Sequence, residues 1–221
     1  MPFHLDDAIA TYPFVYHLTA RANLKRIRRT GQLESAAALM KGAKRLDLLR
    51  VRRVGPESIM VDGSKVILRD QLPLHAGHIL FEGGWDIGQL IGSLNGRVFF
   101  WPGSDIGPIA HGQRRFQRNS EEAPIILRVR LRDLLAANPD RTPLFCQYNS
   151  GSPRTTRGRK SPRGPRTFLP CGQFPLGQRK VVEVTFEELV SLPARITEAR
   201  LDWNAEWYPL AALGSKGAAA N

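Results

Sequence analysis

Over residues 149–180 the sequence turns to Gly, Pro, Ser and Arg, then returns abruptly to strand character in Val181-Val-Glu-Val-Thr-Phe186. A stretch so long and polar is no compact connection, so it is either disordered or a functional loop. Upstream, short strand-like and helix-like runs interleave without strict alternation, which favours an α+β domain over a doubly wound sheet. Asp6 or Asp7 is expected to cap a short helix ending before Pro13, with a strand over 14–19. Thr19 is placed as the N-cap of a basic amphipathic helix over 20–30, and Gly31 as its left-handed C-terminal cap. Ser35 is expected to open a second helix through about Leu49, and 59–68 reads as a hairpin around Asp62-Gly63. A helix over 86–94, strands over 97–101 and 124–131 and a helix over 132–137 complete the reading.

Charge is distributed in blocks. The chain of 221 residues carries a net charge of +12. Residues 1–60 hold 11 Lys/Arg against 5 Asp/Glu, 61–109 hold 3 against 5, 110–180 hold 15 against 4, and 181–221 hold 3 against 6. Within 150–180 there are 8 basic residues and no acidic one. One face meeting a polyanion would leave this footprint, because Lys/Arg clusters gain free energy by releasing counterions from phosphate backbones. Arg outnumbers Lys 25 to 7, which suits bidentate phosphate contacts. A genome-wide preference for Arg and a merely solvated surface would give the same count.

Several classes lose their signals. Hydrophobic residues at 42% and charged residues at 24% support a buried core and one globular domain, expected over 1–213 with a flexible tail at 214–221. No apolar run approaches the roughly 18 residues of a membrane helix, and Met1-Pro-Phe-His-Leu-Asp-Asp7 lacks the order of a signal peptide. The expectation is a soluble, cytoplasmic monomer with no membrane partner. Cys146 and Cys171 form no Cys-x-x-Cys motif, and His75 and His78 lack a third ligand, so no disulfide framework or metal is expected. Glycine-rich dinucleotide, P-loop, zincin and nucleophile-elbow motifs are all absent.

The run Tyr16-His-Leu-Thr19, Asn23-Leu24, Ile27, Gly31-Gln-Leu33 resembles the opening of the DarT-type DNA ADP-ribosyltransferases and of a related uncharacterised family. The likeness continues through Ile67-Leu-Arg-Asp-Gln71, Leu94-Asn-Gly-Arg-Val-Phe-Phe-Trp-Pro102, Asn149-Ser-Gly151 and a strand carrying Glu183. It implies a split α+β fold, two small sheets around an NAD cleft with peripheral helices, and an enzyme that transfers ADP-ribose from NAD, without a metal. In that frame Glu183 and Arg97 are the catalytic candidates; His17, Thr19, Asn23, Gly31, Arg53, Arg69, Phe99 and Phe100 are the cofactor-binding ones.

The residue chemistry gives each assignment a rival. Cleaving the nicotinamide bond passes through an oxocarbenium-like state that needs a nearby carboxylate. Glu183 sits in an otherwise apolar strand where an unpaired carboxylate is costly, though alternation also permits a solvent-facing residue. His17 could be a satisfied core histidine, Asn23 a capping residue, and Phe99, Phe100 and Trp101 core aromatics rather than a nicotinamide wall. The diphosphate calls for an arginine, with Arg50, Arg53, Arg69 and Arg97 all eligible; Arg97 could instead pair with Asp70 or Asp86.

In DarT-type enzymes the loop before the catalytic glutamate scaffolds the target. Here it carries Arg154, Arg157, Arg159, Lys160, Arg163, Arg166, Arg179 and Lys180, which points to a nucleic-acid acceptor, single-stranded DNA before others because the base must be accessible. Val181 stands where arginine-modifying protein transferases carry a second Glu. The resemblance further implies a toxin or defence effector with a macrodomain-type antitoxin. RNA or protein acceptors are the alternatives within this chemistry. Outside it stands a non-catalytic Arg-rich nucleic-acid-binding module.

Overall fold

The branched and aromatic run Phe14–Ala20 (β1) suits a pleated, half-buried surface and forms the middle strand of the largest sheet. The computed structural model describes residues 3–118, 123–175, 180–193 and 195–213; Arg179 and the expected tail at 214–221 lie outside them. Across the sheet run Tyr208–Pro209 (β13), Glu198–Arg200 (β12), Pro124–Arg130 (β7), β1, Arg97–Gly103 (β6), Glu183–Glu187 (β10) and Leu144–Cys146 (β8). Every adjacent pair is antiparallel. Three two-stranded sheets flank it: Gln32–Glu34 (β2) with Leu189–Ser191 (β11), Glu57–Val61 (β3) with Ser64–Leu68 (β4), and Ile79–Phe81 (β5) in parallel with Ser161–Arg163 (β9). The helices are Leu5–Thr11 (α1), Leu24–Thr30 (α2), Ala36–Gly42 (α3), Ile87–Asn95 (α4), Ala110–Arg118 (α5) and Leu131–Ala136 (α6). Antiparallel sheets with short helices outside a βαβ pattern make this an α+β fold.

The strand that positions the site is β6, because it changes partner along its length. Trp101, Pro102 and Gly103 pair with Tyr16, Val15 and Phe14 of β1, whereas Arg97–Phe100 pair with Val184–Glu187 of β10. Beyond Tyr16, β1 continues beside β7 alone as far as Ala20. The seven strands form one hydrogen-bonded series, forked where β1 leaves β6. Period-two alternation sends Val98 and Phe100 of β6, with Val184 and Phe186 of β10, into the main core.

Local chemistry explains most boundaries. Gly31 takes φ +66° and closes α2, and Asp62 and Gly63 at φ +46° and +70° form the double left-handed turn that a two-residue hairpin requires. Asp86 accepts from Gln89 N while the Gln89 side chain returns to Asp86 N, a capping box that starts α4.

Other expectations are corrected. Thr19 is not a helix cap: it stays in β1, and a 3-10 turn over Arg21–Asn23 intervenes before α2. The second helix stops at Gly42 rather than Leu49, since Lys44 takes φ +57° and only a 3-10 turn, Leu46–Leu48, follows. The polar stretch after 149 is folded against the sheet: β9 pairs with β5, and Phe145 and Leu169 exchange backbone hydrogen bonds of 2.7 and 3.0 Å. Strands β2, β5, β8, β9, β11, β12 and β13 and helix α5 were not anticipated.

Candidate active site

The fork between β1 and β6 opens into a cavity of about 280 Å3. His17 and Thr19 of β1, Arg97 and Phe99 of β6, Glu183 of β10, and Ser150 line it, together with Arg53, Arg69, Asp70 and Arg115. His17 bridges the fork where backbone pairing has ended, its Nδ1 lying 2.9 Å from the Phe99 carbonyl. A carbonyl only accepts, so Nδ1 carries the proton. Burial first, then the nearby Arg69 cation, lowers the His17 pKa to about 4 against the opposing Phe99 bond, leaving a neutral ring whose Nε2 is an acceptor.

Glu183 is not a solvent-facing strand residue; it is only 4% exposed. Ser150 N donates to its Oε1 at 3.1 Å, while Oε2 and the Ser150 hydroxyl are buried without a hydrogen-bond partner among the described residues. Desolvation pushes the carboxyl up to about 7, opposed by the adjacent Ser150 and by the Arg163 charge. An orphaned buried carboxylate oxygen in a cavity wall is a costly arrangement that a ligand hydroxyl would relieve. Cys146, the register partner of Glu183, is itself buried and its thiol is pushed up by burial, so it offers no thiolate nucleophile.

Arg163 corrects the reading of the basic loop. It is 1% exposed and donates to Ser150 O, Asn149 O, Ser161 Oγ and Pro162 O at 2.7–3.2 Å, with its guanidinium 4.6 Å from the Tyr148 ring centroid. It therefore fastens the Asn149-Ser150 turn beneath Glu183, its guanidinium engaged by protein oxygens rather than free for a polyanion. Arg154, Arg157, Arg159, Lys160 and Arg166 are exposed.

The other candidates divide. Asn23 holds β4 in place: its Oδ1 accepts from Ile67 N at 2.8 Å and its Nδ2 donates to Ile67 O and Thr19 Oγ1, so both amide hydrogens are engaged. Gly31 is a helix cap away from the cavity, its N–H donating to Ile27 O and its carbonyl accepting from Leu192 N. Phe100 is a core residue against Phe186, whereas Phe99 and Trp101 line the cavity. Arg53 is buried, donating to Arg69 O and Asn95 Oδ1, and Arg50 lies beside α4, outside the cavity lining. Arg97 pairs with Glu187 at 3.1 Å rather than with Asp70 or Asp86, and stacks 4.5 Å over Phe168. Its Nε and Nη1 are buried without partners among the described residues.

A protein-family model matches residues 13–197, most of the chain. The chain belongs to the DUF7002 family. DUF7002 is a family of unknown function. No curated protein and no solved structure matches this DUF7002 chain. Among its described residues no group of three or more His, Cys, Asp or Glu could hold a metal ion, and no helix is long and apolar enough to cross a membrane.

Sequence reasoning missed Arg115, which reaches Asp70 at 3.7 Å in the cavity lining, and with it the cationic face of α5. His111, Arg114 and Arg115 share a second groove with Tyr148 and Arg154, and this groove has Arg115, Asn149 and Ser152 in common with the cavity. Burial and the Arg114 and Arg154 charges all lower the His111 pKa, a sign of uncompensated positive potential. The signal was present in Arg114-Arg115-Phe116, where Phe116 turns inward, 4% exposed.

Proposed function

We propose that this DUF7002 protein transfers ADP-ribose from NAD to a base of single-stranded DNA. The observation that carries the reading is the buried Oε2 of Glu183, unpartnered among the described residues, in a cavity also walled by the neutral His17 and by Arg53, Arg69 and Arg97. NAD presents ribose hydroxyls, which suit two acceptors, and a diphosphate, which suits guanidinium groups. In the proposed reaction the bond from C1″ of the ribose to nicotinamide breaks, nicotinamide leaving with the electron pair. A ring or amino nitrogen of the base forms the new bond to C1″, and its proton passes to the Glu183 carboxylate. A carboxyl titrating near 7 is matched to that proton transfer at neutral pH.

The groove between α5 and the loop supports the acceptor class. It adjoins the cavity, presents His111, Arg114, Arg115 and Arg154, and has no acidic residue among its described lining. Such a surface can track a phosphate backbone while a base enters the cavity. A toxin or defence role, with a macrodomain-type protein opposing it, belongs to the same proposal and rests on the DarT resemblance.

Incubation with NAD and mixed-sequence single-stranded oligonucleotides, read by mass spectrometry for an added ADP-ribose, tests the reading. An adduct that disappears in Glu183→Ala is the expected result. Intact NAD with DNA, RNA and protein acceptors all unmodified overturns it.

A further inference from the structure

Helix α2 carries a second cationic feature unconnected with the cavity. Its inward Arg26 is neutralised by Glu34 at 2.7 Å and Asp62 at 3.0 Å. Its outward Lys25, Arg28 and Arg29, with Arg21 of the 3-10 turn before it, are exposed, and none forms an ion pair with a described residue. These four rim a groove of about 690 Å3 between α2 and the turn that follows β13. The floor is aliphatic: half-buried Leu24 and Leu213 lie among the buried Ile27, Leu192 and Leu210. Arg28 donates to Ala211 O at 3.1 Å across the groove, tying its two walls together.

We infer that this groove docks an acidic, amphipathic segment of a separate protein, its aliphatic side chains on the floor and its carboxylates on the rim. Charge complementarity selects the sign, since the described lining contains four cations and no acid. The recessed floor argues against a membrane surface, because a flat bilayer cannot reach residues that an inserted side chain can. The described lining holds no aromatic residue on which a nucleobase could stack, which argues against a polynucleotide. A second copy of this chain is disfavoured by its net charge of +12. None of the groove residues lines the cavity, so the inference stands independently of the proposed transferase activity.

The test is fluorescence anisotropy on the full chain with a labelled peptide of Glu and Leu at helical spacing. Lys25→Glu with Arg29→Glu is expected to weaken binding at least about tenfold, whereas Lys65→Glu with Arg132→Glu, an equal charge change at exposed sites elsewhere, leaves it within about twofold. Replacing the peptide's Leu by Ser is also expected to weaken binding about tenfold, since the floor then buries nothing. Equal loss in both charge-reversal variants, or unchanged affinity of the Ser peptide, overturns the proposal. So does a result in which Lys25→Glu with Arg29→Glu loses a single-stranded oligonucleotide or anionic phosphatidylserine vesicles but not the peptide. Thermal melts of each variant verify that the fold is intact.

Discussion

Ser150 is fixed to Glu183 through its backbone amide, 3.1 Å from Oε1, and the carbonyl of the same Ser150 accepts from the buried Arg163. The catalytic candidate on β10 is thus oriented by a turn that a guanidinium holds from behind. Removing that guanidinium leaves carbonyls of Asn149 and Ser150 without their donor. Arg163→Met is expected to destabilise the fold by about 3 kcal/mol in urea titration, whereas Arg157→Met, at an exposed site, stays within about 0.5 kcal/mol. Equal effects would show that the turn stands without Arg163.

Glu183→Gln keeps the shape and the capacity to accept from Ser150 N but removes the ionisable group. NAD consumption is expected to fall at least about 100-fold, with the variant folded by circular dichroism. In the wild type the same activity rises as pH passes through about 7, where the carboxyl ionises. A variant retaining wild-type turnover would remove Glu183 from the chemistry.

The two buried titrating groups bend stability in opposite directions. Glu183 rises from an ordinary 4.5 to about 7, so within that window the folded chain keeps a proton that the unfolded chain has released, and stability falls as pH rises. His17 drops from 6.5 to about 4, so there the unfolded chain binds the extra proton and stability rises with pH. Each full proton is worth about 1.4 kcal/mol per pH unit, and the slopes offset where they overlap, from 4.5 to 6.5. Denaturation midpoints measured across pH should climb more steeply in Glu183→Gln than in wild type, and less steeply in His17→Gln.

Arg114 and Arg154 both line the groove beside the cavity. If each neutralises one phosphate, the logarithm of single-strand affinity should depend on log salt with a slope shallower by about 1.4 in Arg114→Gln with Arg154→Gln. A salt series by anisotropy, without NAD, measures this; an unchanged slope places the strand elsewhere.

Legibility followed the range of the forces involved. β1, the Asp62-Gly63 hairpin, the Gly31 cap and α4 were readable because alternation, turn chemistry and capping are local. The second helix misled because Leu46 and Leu49 kept helical spacing past Gly42, although Leu46 is 60% exposed and Lys44 has already broken the turn. Glu183 and His17 could be singled out as polar residues in apolar strands. Arg163 could not be told from its neighbours, since burial of one arginine in a basic run depends on β9 finding β5, which no local pattern announces. Phe99 and Phe100 look alike in sequence, and only the register with β10 decides which of them enters the core.

Because β10 is among the last strands of the chain yet lies in the interior of the sheet, between β6 and β8, the two walls of the cavity are completed at different times during synthesis. The wall bearing His17 can form on the nascent chain well before residue 183 is made. A polypeptide truncated ahead of β10 would present half a binding site without Glu183, so translation itself delays the appearance of a complete cavity until the C-terminal strands are in place.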